Sequence, residues 1–326
     1  MAAGRPSTVH RRTFLTAVLA AGAVAACESG GGSGRSPTPV TTGGASSTPS
    51  AAPDLGEGEE VVRGIDVPWG LGFLPGGDAL VAERNTARIL QVSPRGATPR
   101  TVYEVPGVAP GGEGGLLGLA VSARYADDGY VYAYFTAEDD NRIVRFRLDG
   151  GRPEVIFDGL AKASFHNGGR IAFGPDGMLY AGTGDATDGE LSQDPGSPNG
   201  KILRLTPDGD PAPGNPTPRS PAYSLGHRNV QGLAWDGAER LFAAEFGQDR
   251  FDEINLIEPG NNYGWPDVEG VGGTRGGRYT NPLVTWTTDE ASPSGIAIAH
   301  DTLYVAALRG ERLWTVPLRN GSLGKP

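Results

Sequence analysis

One cysteine, Cys27, in 326 residues excludes an intramolecular disulfide and a cysteine-ligated zinc cluster. Histidine is almost as scarce, with four in the chain. No His-x-x-x-His or His/Glu/His spacing accompanies them, which removes the usual zinc patterns. P-loop and EF-hand spacings are missing as well. No stretch keeps a 3.6-residue apolar period over a dozen residues, so long amphipathic helices are not expected. The apolar run from Phe14 to Ala26 is too short for a comfortable membrane span. Positive charge is in deficit, 28 Lys+Arg against 38 Asp+Glu for a net charge of -10, which gives no support for a nucleic-acid partner.

What the chain has in quantity is glycine (52) and proline (27), the residues that punctuate turns and are poor in helix interiors. Their clusters predict many short strands. The first residues follow a different logic. Arg11-Arg12-Thr13-Phe14-Leu15 is a twin-arginine pattern, and the apolar run after it ends in Val24-Ala25-Ala26-Cys27, which resembles a bacterial lipobox. Residues 1–27 are therefore expected to be a lipoprotein signal peptide of the twin-arginine type, with Cys27 lipidated. Residues 28–54, almost all Gly, Ser, Thr, Pro and Ala, read as a flexible linker. The expected location is the outer face of the cytoplasmic membrane, with membrane contact through the lipid anchor alone. Residues 55–326 form the expected folded domain.

Within that domain a unit recurs: a glycine and a short apolar strand, a polar turn, a second strand, then a third apolar strand. Copies begin at Gly70 (GLGFL), Gly118 (GLAVSARY), the stretch His166–Asp185, Gly232 (GLAWD) and Gly295 (GIAIA). Their starts are roughly 48 to 66 residues apart, a period that belongs to propeller blades or arrays. Such a unit alone leaves sheet faces bare, and packing units around an axis covers them. The prediction is an all-β, six-bladed β-propeller rather than a β-sandwich. Five copies are plain, and Glu59–Arg63 is assigned to a sixth blade, left incomplete at the C-terminus. Four loops carry residues that a sheet does not need. They are Gly111–Gly118 around Glu113; His166-Asn167-Gly168-Gly169-Arg170; Ser224–Gly232 around His227-Arg228-Asn229; and Glu245–Glu253 with Gly260–Pro266. Histidine suits general-base work near neutrality, Arg and Asn suit anionic and carbonyl oxygens, and carboxylates with free carbonyls suit Ca²⁺. Each loop by itself is equally readable as structure.

Together, the motifs GEGGLLGLA, HNGGRIAFGPDGMLYAGTGD, LGHRNVQGLAWD and EFGQDRFDEINLIEPGNNYGWP, in this order, resemble the soluble quinoprotein glucose dehydrogenases, and more nearly their aldose sugar dehydrogenase branch. The resemblance covers about residues 60 to 318. It implies a six-bladed propeller that binds pyrroloquinoline quinone (PQQ) and Ca²⁺. It also implies oxidation of an aldose C1 hydroxyl to the lactone and an external electron acceptor. By the same resemblance His166 is the general base, and Arg228 and Asn229 contact the cofactor, with Arg228 also catalytic. The carbonyls of Gly247 and Gln248 hold the cofactor's calcium, and Gln248 stands where the family has proline. Glu253 and Tyr263 match a second, structural calcium site. Arg309 stands in for a lysine, and Glu113 for a cofactor-contacting glutamine. The family continues past the last residue of this sequence; whether the chain is a fragment or closes its ring differently stays open. Two other readings also remain open: a calcium-dependent lactonase, and a non-catalytic propeller binding a glycan or a protein.

Overall fold

The computed structural model describes residues 58–319 apart from 97, together with 322–324 and 326. The expected signal peptide, Cys27 and the whole of the linker lie outside the described residues. Strands dominate. The α-helices described are single turns, Tyr125–Asp128 and Glu190–Gln193, as the lack of helical periodicity required.

Five four-stranded antiparallel sheets follow one another along the chain, each a simple meander. Blade 1 holds β1 (Pro68–Phe73), β2 (Ala79–Glu83), β3 (Arg88–Val92) and β4 (Arg100–Glu104). Blade 2 holds β5 (Leu116–Val121), β6 (Tyr130–Thr136), β7 (Asn141–Arg147) and β8 (Glu154–Leu160). Blade 3 holds β9 (Ile171–Phe173), β10 (Leu179–Gly182), β11 (Lys201–Leu205) and β12 (Ala222–Leu225). Blade 4 runs β13 (Val230–Trp235), β14 (Leu241–Glu245), β15 (Phe251–Ile257) and β16 (Val284–Thr287). Blade 5 runs β17 (Pro293–Ala299), β18 (Thr302–Ala307), β19 (Arg312–Arg319) and the two-residue β20 (Ser322–Leu323).

Four apolar cores stitch the blades in order. Leu80 and Ile89 meet Leu116 and Val131 between blades 1 and 2, and Leu117 and Tyr132 meet Ile171 and Leu203 between blades 2 and 3. Tyr180 and Ile202 meet Val230 and Leu241, and Phe242 and Ile254 meet Leu303 and Val316. The repeated glycines have a steric cause. A Cβ on Gly70 would lie 2.4 Å from Leu117 O, on Gly118 2.1 Å from Gly169 O, and on Gly232 2.5 Å from Ser294 O. Three of the repeats open on glycine because the neighbouring blade presses on it; at Gly295 the nearest atom to such a Cβ is 3.7 Å away.

The expected sixth blade is a point of correction: the propeller described has five. Residues 59–65 form no strand; Val61, Val62 and Ile65 instead cover Ala79, Val81 and Val92 on the outer face of blade 1. That short apolar stretch is satisfied by burial against an existing sheet and needs no ladder of its own.

One buried cation holds the loop between β10 and β11. Lys201, fully buried, donates from Nζ to the carbonyls of Leu191 (2.7 Å), Ser192 (3.0 Å) and Asn199 (2.8 Å). Lys201→Met leaves those acceptors unpaired and is expected to cost about 3–5 kcal/mol, read as a lower urea midpoint. Burial also pushes the ammonium down to about 8. The unfolded chain then holds more protons than the folded one between that value and the free lysine's ~10.4. Wild-type stability should therefore rise with pH across that window, and the variant should lack the rise.

Candidate active site

The meander places chemistry at one mouth of the propeller. Residues that lead into the inner strands β5, β9, β13 and β17, and residues that follow β14 and β18, end up on the same side because paired strands run antiparallel. Glu113, His166, Arg228, Gly247, Gln248 and Arg309 accordingly line one cleft of about 420 Å³, walled further by Phe165, Phe246 and Leu308. That volume suits a small-molecule ligand.

His166 is held hard. Its backbone sits in the left-handed region (φ 58°), where a non-glycine residue is strained. Its N–H donates to Glu113 Oε2 at 2.9 Å, and a Cβ on Gly184 would fall 1.7 Å from its carbonyl oxygen. The ring nitrogen Nδ1 is 2.7 Å from Asp185 Oδ1. Asp185 is buried and accepts further hydrogen bonds from Thr187 N (2.8 Å) and Trp265 Nε1 (2.8 Å). An ionised carboxylate there requires the proton on Nδ1, which leaves Nε2 as the basic nitrogen. The imidazole is thus oriented as a base by a group that sequence reasoning missed.

Arg228 supplies charge. Its guanidinium bonds neutral acceptors only: Gln248 Oε1 from Nε (3.1 Å) and Nη2 (2.8 Å), and Phe246 O from Nη1 (3.1 Å). No carboxylate pairs with it directly among the described residues. Burial lowers its pKa, opposed by the more distant Asp185, Glu269, Glu113 and Glu245. Trp265 lies 5.4 Å from its centre. Asn229 is fully buried; Oδ1 accepts from Gly168 N at 2.9 Å, while Nδ2 has no partner. A buried donor without an acceptor costs free energy, but Asn229 is not among the residues that line the cleft; there the unneutralised Arg228 guanidinium fits a ligand rich in anionic oxygens.

Comparison with known proteins agrees with this geometry. The sequence matches the Glucose / Sorbosone dehydrogenase family over residues 65–323. The chain belongs to that family. It is 30% identical to quinoprotein glucose dehydrogenase B of Acinetobacter calcoaceticus over 260 residues, 68% of this chain and 54% of that protein. An aldose sugar dehydrogenase of Escherichia coli is 30% identical over 236 residues, 66% of this chain and 63% of that protein. The chain thus spans between half and two thirds of these two relatives. Among solved structures, the PQQ-bound aldose sugar dehydrogenase of Streptomyces coelicolor superposes with a TM-score of 0.79 at 56% identity, covering 82% of this chain and 81% of that one.

In this member of the glucose and sorbosone dehydrogenases, the loop after β14 has a defined polarity. Glu269 Oε1 gathers the N–H groups of Gln248 (2.7 Å), Asp249 (3.1 Å), Arg250 (3.1 Å) and Phe251 (3.2 Å). Among the described residues no hydrogen bond ends on the carbonyl oxygen of Gly247 or Gln248. Two unspent carbonyls on the cleft wall fit a hard cation that takes oxygen ligands. Glu253 and Tyr263, the residues expected at a second calcium position, line one small cavity with Glu245 and Glu269. Tyr263 Oη already donates to Leu256 O (2.5 Å) and accepts from Glu258 N (3.0 Å). Glu253 is bonded to Asn255 and Gly270 N, and burial, followed by the Glu245 charge, pushes its carboxyl up to about 8. No group of three or more His, Cys, Asp or Glu that could hold a metal occurs among the described residues.

The remaining residues divide cleanly. Arg309 is exposed and bonds Asp289 Oδ1 at 2.9 Å, a rim pairing that a ligand carboxylate could exchange at small cost. Glu113, with one oxygen committed to His166 N, holds the strained backbone of that residue. His227 turns inward: it bonds Glu245 and Ser224 and stacks on Tyr263 at 4.8 Å, as part of the core.

Proposed function

We propose that the chain is a PQQ-dependent dehydrogenase that oxidises the C1 hydroxyl of an aldose to its lactone and passes electrons to an external acceptor. The observation that carries this reading is the His166–Asp185 pair, with Nε2 left as base in a cleft that also holds an unneutralised Arg228. PQQ, when bound, supplies the two-electron acceptor that takes up the hydride leaving C1. His166 Nε2 accepts the hydroxyl proton of the sugar, and Asp185 stabilises the imidazolium that results. Arg228 provides fixed positive charge where negative charge develops, and does so without reorganisation because Gln248 and Phe246 O hold its fork. Asn229 Nδ2 offers an unused donor for a cofactor oxygen. The carbonyls of Gly247 and Gln248 are the positions we assign to the cofactor's Ca²⁺.

Product analysis tests the reaction. One lactone should form for every two electrons delivered to a dye, in protein loaded with PQQ and Ca²⁺. Dye reduction without lactone would contradict C1 as the site of oxidation. The export reading belongs to the same proposal: residues 1–27 direct the protein outward and Cys27 carries the lipid. Cys27→Ser should then abolish labelling by fatty acid, and retained label would contradict the anchor.

A further inference from the structure

The most unusual charge outside the cleft is Arg170. It immediately precedes β9, the inner strand of blade 3, yet its side chain reaches three other inner strands. Nε donates to Gln231 O on β13 at 2.7 Å, and the guanidinium carbon sits 4.2 Å from the centre of the Trp69 ring on β1. Nη2 is the one atom near Gly295 on β17, 3.7 Å from where a Cβ would be. Blades 1 and 5 are neither of them neighbours of blade 3, so a side chain that touches both from blade 3 spans the propeller axis.

No carboxylate compensates this charge. Among the described residues Arg170 forms no ion pair, and neither Nη1 nor Nη2 has an acceptor. Protein encloses the group, and burial alone lowers it to about 10, with no charged neighbour contributing. Even so, part of its surface stays reachable by water. A guanidinium in that position has lost part of its hydration without gaining an ionic partner, which costs free energy. Trp69 satisfies one face but not the edge, where the N–H groups point. Gln231 adds to the same pattern: its Oε1 accepts from Ser294 Oγ at 2.9 Å, which leaves the amide Nε2 as a donor without an acceptor among the described residues.

We propose that the axial channel is an anion site in which Arg170 binds one small monovalent anion, a halide or a formate-sized carboxylate. The ion supplies an acceptor to the Arg170 guanidinium edge and the Gln231 amide, for which the described residues offer none. The site is separate from the cleft and does not depend on the dehydrogenase reading.

The test uses the purified full chain at constant ionic strength, with gluconate as the bulky reference anion. Titration with bromide or formate should raise Tm saturably, by about 5 °C at a hundredfold excess over half-saturation. Arg170→Met should show no such response, whatever its starting Tm. Formate alone raising Tm would assign the site to carboxylates, and bromide alone to halides; both are forms of the proposal. Crystals soaked in bromide give a second reading that needs no variant, an anomalous peak at the Arg170 guanidinium edge. A response that persists in Arg170→Met overturns the proposal. So does a bromide-soaked crystal with no peak there, or the absence of any anion-specific shift in the wild type.

Discussion

His166→Asn is expected to lower kcat by about 10²–10⁴-fold, the scale of a lost general base, while PQQ affinity stays within a few fold. Asparagine is the informative replacement because His166 has φ 58°, a backbone region that asparagine tolerates and alanine resists. The substitution keeps the strand entry intact and removes only the titrating nitrogen. Arg228, Asn229 and the Gly247–Gln248 carbonyls do not depend on the imidazole, so cofactor binding should survive. The acid limb of the kcat/KM profile, which reports protonation of the base, should vanish along with the activity. Turnover close to wild type in a variant that binds PQQ would remove His166 from the mechanism.

Asp185→Asn should cost a similar factor, about 10²–10⁴, with little change in KM. The asparagine can still accept from Thr187 N or Trp265 Nε1 through its oxygen. It cannot, however, stabilise an imidazolium, and its amide can donate to Nδ1 and move the ring proton to Nε2. A base would thereby become a donor without any change of fold. A merely structural aspartate predicts something different: lower Tm, with kcat and its pH profile unchanged in the folded fraction. Measuring kcat across pH alongside thermal melting separates the two.

The inner part of each blade was legible because its cause is local. Gly70, Gly118 and Gly232 are compelled by the neighbouring strand, and buried strands such as Leu116–Val121 read as continuous apolar runs. The outer strands were not legible. Arg100–Glu104 and Glu154–Leu160 are largely solvent-facing, so nothing in RTVYE or EVIFDGL marks them against a loop. The count of six blades failed at Glu59–Arg63, where the adjacent Val61 and Val62 meant a packed coil and not a strand.

In the site, the loops stood out because they spend His, Arg and Asn where a sheet has no use for them, and six of the expected site residues, Glu113, His166, Arg228, Gly247, Gln248 and Arg309, share the cleft. Asp185 and Trp265 escaped notice because they lie 19 and 99 positions after His166, joined to it only by the fold. The Gly182-Thr183-Gly184-Asp185 end of β10 was the available signal, a carboxylate behind a glycine that the backbone of His166 crowds. Glu253 and Tyr263, ten positions apart, were legible as a pair, and in the fold they line one small cavity with Glu245 and Glu269.

The central claim is that this cleft takes up PQQ with Ca²⁺ and then oxidises aldoses. Purified protein should be titrated with PQQ, with and without Ca²⁺, while aldose-driven dye reduction is followed. The account predicts saturable, Ca²⁺-dependent gain of activity with at least one aldose and none without PQQ. Failure to bind PQQ, or lactone hydrolysis that proceeds in its absence, would contradict it.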